Sequence, residues 1–262
     1  MFIAQISDTH IDLGGPSSAV RLGNLEQCVE DINRIDPLPD VVIHTGDLAQ
    51  NGKPAEYEAA RRLLGGLRCP FHVVAGNRDD RDAVRAAFPA DDYLLPDTPF
   101  VQYTINAFPV RLIVLDTLSE SGNQGDFCQS RADNLRAALA DEPSRPTALF
   151  MHHPPFEILE SDYPIQYQRR EAIATMSQAL DGQRHVLRAF CGHAHRSSMG
   201  QIAGVPVSTM PSVAVDLRQG DYPDAVRTVP LYQLHRYDAG RGFVSEMRAA
   251  RPSHALADAV PA

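Results

Sequence analysis

The chain has 262 residues, 44% hydrophobic and 22% charged, an ordinary globular composition that excludes a disordered chain or a fibrous repeat. No apolar run approaches the roughly 20 residues that span a bilayer, and Met1 leads straight into FIAQISDTH without the basic region or cleavage-type site of an export signal. The formal net charge of −9 argues against broad nucleic-acid or membrane-surface binding, which wants a basic face.

In chain order, short β-branched or aromatic runs alternate with longer amphipathic stretches. Phe2–Ile6 predicts a strand that ends in Ser7-Asp8-Thr9-His10, followed by a helix over Asn24–Ile35. Val41–Ile43 is a second strand and runs into His44-Thr45-Gly46-Asp47. Ala55–Leu67 reads as a helix, with acidic residues early, Arg61 and Arg62 late, and Gly65-Gly66 near its stop. Phe71–Val74 delivers Ala75-Gly76-Asn77-Arg78-Asp79 ahead of a helix over Arg81–Phe88. Leu112–Leu115 precedes a helix over Ser130–Leu139. Ala148–Met151 ends in His152-His153-Pro154-Pro155 before a helix over Arg169–Leu180, and Val186–Phe190 ends near Gly192-His193-Ala194-His195.

This alternation predicts an α/β layered fold. From Val205 onward the character changes: VPVSTM, VPLYQLHRY and GFVSEMR read as strands, which predicts a second sheet packed on the first. Residues 1–250 are expected to form one domain, with 205–250 supplying second-sheet strands and a candidate lid or interface, and 251–262 a frayed tail. The cysteines Cys28, Cys69, Cys128 and Cys191 include no C-x-x-C pair and read as reduced thiols of a cytoplasmic protein.

Nearly every predicted strand delivers a carboxylate, an amide or an imidazole at its carboxyl end, the edge where open α/β sheets bind ligands. Imidazole nitrogen and carboxylate oxygen suit iron, manganese, zinc and cobalt. Gly46, Gly76 and Gly192 stand just before polar residues, where a tight strand exit needs backbone freedom.

The ordered set DTH, GDL, GNRD, HHP and GHAH resembles the calcineurin-like metallophosphoesterases, whose signature runs D-x-H, G-D, G-N-H-[DE], H-x-P and G-H-x-H. GDLAQNGKPAEY and FMHHPP look most like the bacterial branch holding class III cyclic-nucleotide phosphodiesterases and glycerophosphodiesterases. The resemblance implies a four-layer α-β-β-α sandwich with the metal site at the strand carboxyl ends. It implies a first metal held by Asp8, His10, Asp47 and His195, and a second held by Asn77, His152 and His193, with Asp47 bridging. It also implies a homo-oligomer.

Two such metals, about 3.5–4 Å apart, clamp phosphoryl oxygens and lower the pKa of bound water, so that a bridging hydroxide attacks in line. The implied activity is hydrolysis of small phosphodiesters, cyclic nucleotides or glycerophosphodiesters, rather than long nucleic acid. A phosphomonoesterase and a non-catalytic protein-binding scaffold are the alternatives. Asn77 contributes only a neutral amide oxygen, so the second site should be the weaker.

Arg78 departs from the family pattern, which has His there. A guanidinium can stabilise charge on a phosphoryl oxygen but is no proton donor. Leaving-group protonation would then fall to metal-bound water or to His153, and Asp79 could orient Arg78 or a ligand. PSVAVDL, at Pro211–Leu217, lacks the substrate-facing His that relatives often carry nearby.

Among other polar residues, His44 and His72 read as satisfied core histidines, and His185, His235 and His254 as solvated. Asp12, Asn51 and Asp216 either face the cleft or serve surface and capping roles. Asp79, Asp80 and Asp82 open a helix, where they favour its dipole. Substrate choice is assigned to the loops Leu118–Asp126 and Phe156–Gln168.

Overall fold

The structure, a computed structural model, describes residues 1–88 and 99–252. His254 and the tail from residue 253 lie outside the described residues. The elements run β1 (Phe2–Ile6), α1 (Ser18–Asn33), β2 (Val41–His44), α2 (Pro54–Leu64), β3 (Phe71–Val73), α3 (Arg81–Ala87), β4 (Tyr103–Ile105), β5 (Arg111–Leu115) and α4 (Gln129–Asp141). They continue with β6 (Thr147–Met151), α5 (Arg170–Leu180), β7 (Val186–Cys191), β8 (Met199–Ile202), β9 (Val205–Thr209), α6 (Asp224–Arg227), β10 (Leu231–Asp238) and β11 (Gly242–Ala249).

Two mixed sheets result, ordered β11-β10-β1-β2-β3 and β4-β5-β6-β7-β9-β8. In the first, β1, β2 and β3 are parallel and β10 runs antiparallel to β1. In the second, β5, β6, β7 and β9 are parallel, flanked by antiparallel β4 and β8.

The two-residue period of a strand sorts side chains between layers. In β5, Leu112 and Val114 join the core shared with the first sheet, whereas Ile113 and Leu115 join the core under α4 and α5. In β6, Ala148 and Phe150 face the first core, Leu149 and Met151 the second. Leu25, Cys28 and Ile32 of α1 and Tyr57, Ala60 and Leu64 of α2 cover the far face of the first sheet. Leu135 and Leu139 of α4 with Met176 and Leu180 of α5 cover the far face of the second. The layers are therefore α-β-β-α, as the resemblance implied. No helix among the described residues is long and apolar enough to cross a membrane.

Three local expectations change. The strands after Val205 do not share one sheet: β9 pairs with β7, whereas β10 and β11 extend the first sheet beside β1. Leu231–His235 is buried throughout, which suits an inner strand with neighbours on both edges. Second, α1 begins at Ser18, six residues before the expected Asn24, because its buried stripe opens with the polar Arg21 and Asn24. Hydrophobic periodicity cannot register such a start. Third, the structure adds β4 and β8, which at three and four residues are too short to show a strand period in the sequence.

Candidate metal centre

The turns leaving β1, β2, β3, β6 and β7 meet at one edge of the two sheets, and they bring all seven expected ligands together. Five of them have left-handed backbone: Asp8 (φ 56°), His10 (45°), Asp47 (55°), His193 (66°) and His195 (54°). Non-glycine residues rarely adopt this region, and where they do the cost is borne by surrounding contacts, as is common at functional sites. Here the contacts are mutual: Asp8 N–H donates to the Gly46 carbonyl and His10 N–H to the Asp47 carbonyl, both at 3.0 Å.

Asp8, His10, Asp47 and His195 form one cluster. His10 Nε2 lies 3.1 Å from His195 Nε2 and 3.4 Å from Asp47 Oδ2, and His195 Nε2 lies 3.3 Å from Asp8 Oδ1. A cation at about 2.0–2.2 Å from each donor would space its ligands about 2.8–3.6 Å apart in tetrahedral or octahedral geometry. The outward ring nitrogens are already committed. His10 Nδ1 donates to Gln50 Oε1 at 3.0 Å, and His195 Nδ1 donates to the Leu217 carbonyl at 3.0 Å. Each neutral ring then presents a bare Nε2 lone pair. Two lone pairs facing each other at 3.1 Å cannot hydrogen-bond, so the donor set fits a cation between them.

The second cluster repeats this chemistry. His152 Nδ1 donates to the Thr45 carbonyl at 2.8 Å, which turns Nε2 toward Asn77 Oδ1 (3.0 Å) and His193 Nδ1 (3.3 Å). His193 Nδ1 is 2.8 Å from Asn77 Oδ1. Asp47 stands between the clusters, with Oδ2 toward His10 and Oδ1 3.5 Å from His152 Nε2. One carboxylate thus offers an oxygen to each side.

Electrostatics concentrate here. Burial opposes ionisation of Asp47, but His152, His10 and the Arg78 N–H outweigh it and hold the carboxyl well below its usual range. Asp8 is lowered to about 2 against its burial, chiefly by His195. Burial would keep His152 neutral, yet Asp47, Asp8 and the Thr45 carbonyl raise it to about 9. The two carboxylates thus stay ionised, and positive charge beside them comes from protonated imidazoles or from a bound cation that would displace those protons.

Only one of the three glycines works through backbone freedom: Gly46, at φ 96°. Gly76 and Gly192 are needed for room, since a Cβ would lie 2.3 Å from Asp47 N and 2.1 Å from Ser7 Oγ respectively. The conformational reason expected for those two is therefore replaced by close approach.

The remaining site residues have distinct placements. Asp79 is buried, and its carboxylate accepts N–H groups from Leu48 (3.2 Å), Ala49 (3.1 Å) and Gly76 (2.9 Å), lashing the Asp47 turn to the Asn77 turn. Burial and the nearby Asp47 charge raise it to about 7 despite those donors. Asp80, not Asp79, caps α3, accepting from Ala83 N–H. His153 is fully buried with both ring nitrogens engaged: Nε2–H donates to the Asn123 carbonyl at 3.1 Å, and Nδ1 accepts from Thr117 Oγ1 at 2.9 Å. Burial, with His193 and His152 nearby, holds it neutral. Arg78 is exposed and lines the cleft over the clusters; among the described residues its guanidinium has no ion pair or hydrogen bond.

The cleft encloses about 620 Å³. The two loops expected to set substrate choice both line it, and they are joined: Gly125 N–H donates to the Gln166 carbonyl and Gln168 N–H to the Gly125 carbonyl, each at 2.9 Å. Arg196, absent from the sequence reading, also lines the cleft. It follows GHAH directly, and that position was the available signal.

His44 is buried and satisfied by Thr9 and the Gly46 N–H, as expected for a core histidine. His235 is not solvated: it is fully buried, stacks on Phe190 at 3.9 Å, and bonds Ser245 and Gln5. Its polar neighbour Arg236 points to the opposite strand face, and Gln233, on the same face, is itself buried. Asp12 and Asn51 serve local turns, through the Gly14 N–H and Glu56, whereas Asp216 pairs with Arg21.

Comparison with known proteins agrees with this geometry. A family model for calcineurin-like phosphoesterases matches residues 1–197. Over 218 residues the chain is 31% identical to the glycerophosphodiester phosphodiesterase GpdQ of Enterobacter lignolyticus, covering 81% of this chain and 77% of that protein. Over 250 residues it is 28% identical to the 3',5'-cyclic adenosine monophosphate phosphodiesterase CpdA of Pseudomonas aeruginosa, covering 92% and 87%. The fold also resembles calcineurin-like phosphoesterase YfkN from Bacillus subtilis, with TM-score 0.54, 11% identity, and coverage of 95% of this chain and 90% of that one. The chain belongs to the calcineurin-like phosphoesterase family.

Proposed function

We propose that the chain is a binuclear metal-dependent phosphodiesterase acting on small phosphodiesters, cyclic nucleotides or glycerophosphodiesters. The observation that carries this is the pair of donor clusters flanking Asp47, in which the outer ring nitrogens of His10, His195 and His152 are committed and their inner nitrogens face the other donors. Asp8, His10, Asp47 and His195 would hold one ion; His152 and His193, which also lie close to His153, would hold the other with Asn77 and Asp47. Bound ions would polarise the phosphoryl oxygens and supply hydroxide near neutral pH. Manganese, iron, zinc and cobalt all suit this oxygen and nitrogen set.

The chain's own residues supply orientation and charge. Arg78 reaches into the cleft with an uncommitted guanidinium that can fork onto a non-bridging phosphoryl oxygen. Asp79 acts as a positioning residue, because its carboxylate is spent on backbone N–H groups behind the ligands. His153 has no ring nitrogen to spare for a leaving group, so solvent water protonates the departing alkoxide. The cleft's volume suits a small ester, and the net charge of −9 repels long polyanions. The relatives' activities point to diesters, and the four free thiols accord with a reducing cytoplasm. Homo-oligomerisation, with 205–250 as interface or lid, rests on the family resemblance.

The test is a panel of bis(p-nitrophenyl) phosphate, cyclic AMP, glycerophosphoethanolamine and p-nitrophenyl phosphate, assayed with each metal. Diester kcat/KM should exceed the monoester value by at least about tenfold, which is roughly 1.4 kcal/mol of transition-state preference. A monoester preference would instead favour the phosphomonoesterase reading, and metal uptake without turnover the scaffold reading.

A further inference from the structure

One ion pair, between a buried arginine and an exposed aspartate, has no part in the chemistry above. Arg21, on the inner face of α1, is 8% exposed. Its Nε and Nη2 donate to the Asp216 carboxylate at 3.1 and 2.9 Å, while Nη1 donates to the His10 carbonyl at 3.2 Å and to Gln50 Oε1 at 3.1 Å. That same Gln50 oxygen receives His10 Nδ1–H. One turn further along α1, Asn24 Oδ1 accepts the Val215 N–H at 3.1 Å.

The segment that Asp216 belongs to touches the other ligands of the same cluster. Ser212 Oγ donates to the Asp8 carbonyl at 2.8 Å. The Leu217 carbonyl takes His195 Nδ1–H, and Gln219 N–H donates to the His195 carbonyl at 2.9 Å. Asp8 and His195 are thus held from behind by a single segment anchored to α1 through Arg21 and Asn24, while His10 is held by Gln50 and by Arg21 itself. By contrast, neither His193 Nε2 nor the Asn77 amide nitrogen has a hydrogen-bond partner among the described residues.

We propose that Arg21 and Asp216 form a positioning clamp for the first metal half-site, acting through Gln50 on His10 and through the Ser212–Gln219 segment on Asp8 and His195. This rests on the metal reading above. The fork of Arg21 is what lets one side chain reach three acceptors at once; a lysine ammonium has three donors but a single point of origin. Gln50, with its oxygen shared between Arg21 and His10, holds the ring in the tautomer that exposes Nε2.

The test is a titration of the metal-free full-length chain with Zn²⁺, read by calorimetry and by bound metal after dialysis. Arg21→Met should weaken the first binding event about 10–100-fold, the usual scale for outer-shell support, and shift the second by less than about threefold. Arg21→Lys should restore only part of the loss, and adding Asp216→Asn to Arg21→Met should change little, because the two act as one unit. Nitrogen-15 shifts of the His10 ring should show a single Nδ1–H tautomer in the wild type and a mixture in Gln50→Ala. Arg145→Met, which breaks a remote Arg145–Glu142 pair, controls for general loss of stability. Wild-type first-site affinity in a folded Arg21→Met, or equal weakening of both events, overturns the clamp. Should Arg21→Met fail to fold, Asp216→Asn and Gln50→Ala carry the same comparison with the same deciding outcomes. A wild type that takes up no Zn²⁺ overturns the metal reading itself, a result separate from any effect of Arg21.

Discussion

The two halves of the centre share Asp47 and are otherwise built differently. The first half has a second carboxylate, Asp8, and both its histidines have outer nitrogens tied to Gln50 and Leu217. The second has the neutral amide of Asn77 in place of that carboxylate, and one of its histidines, His152, tied to Thr45. Charge and preorganisation both favour the first half. On the function proposed above, an ion on the first side should be held more tightly than one on the second.

The most severe way to break this arrangement is Asp47→Ala, which removes an oxygen from both halves. Losing several kcal/mol of charge stabilisation should reduce kcat/KM by roughly 10³-fold or more, with bound metal falling below two ions per chain. Asn77→Ala should spare the first half: one ion stays bound through dialysis, and diester hydrolysis falls by about 10²-fold at low metal, with partial recovery on adding metal. If Asn77→Ala loses both ions together, the halves are not independent in the way described. Arg78→Ala leaves both halves filled and removes only the exposed guanidinium; kcat/KM should drop about tenfold or more with metal content unchanged. A change within about twofold would exclude the role given to Arg78.

The smallest expected effect concerns acid stability away from the centre. Burial, with Arg188 adding to it, lowers His235 to about 3, against about 6.5 in an unfolded chain. The unfolded state therefore binds the extra proton first, so this residue's contribution is intact above about pH 6.5 and is lost progressively as pH falls toward about 3. Thermal melts of the metal-free chain should show a shallower acid decline for His235→Gln than for wild type. Parallel declines would contradict it.

The candidate ligands were legible because each sits where an apolar run stops, and a strand must release its chain to the sheet edge there. Asp8, Asp47 and His193 needed no tertiary knowledge to be found. Their supports did, since Arg21 meets Asp216 across 195 positions of sequence. A buried arginine at the front of α1 breaks the apolar stripe by which a helix start is recognised, so the expected helix begins at Asn24 and leaves Arg21 outside it. Sheet membership was hidden for a related reason: β10 looks the same whichever sheet it joins, and only its register with β1 decides. His153 and Asp79 illustrate a third limit. Adjacency to a ligand in sequence says nothing about whether a side chain faces the cleft or, like both of these, is committed to loop and turn partners.

Two unequal half-sites joined by one carboxylate should reveal themselves when bound ions are counted and ranked. Metal analysis during graded chelation of the wild-type chain should give two ions per chain that leave in two separated steps, with Asn77→Ala showing only the tighter step. A single cooperative loss of both ions in the wild type, or two ions retained by Asn77→Ala, would contradict the account.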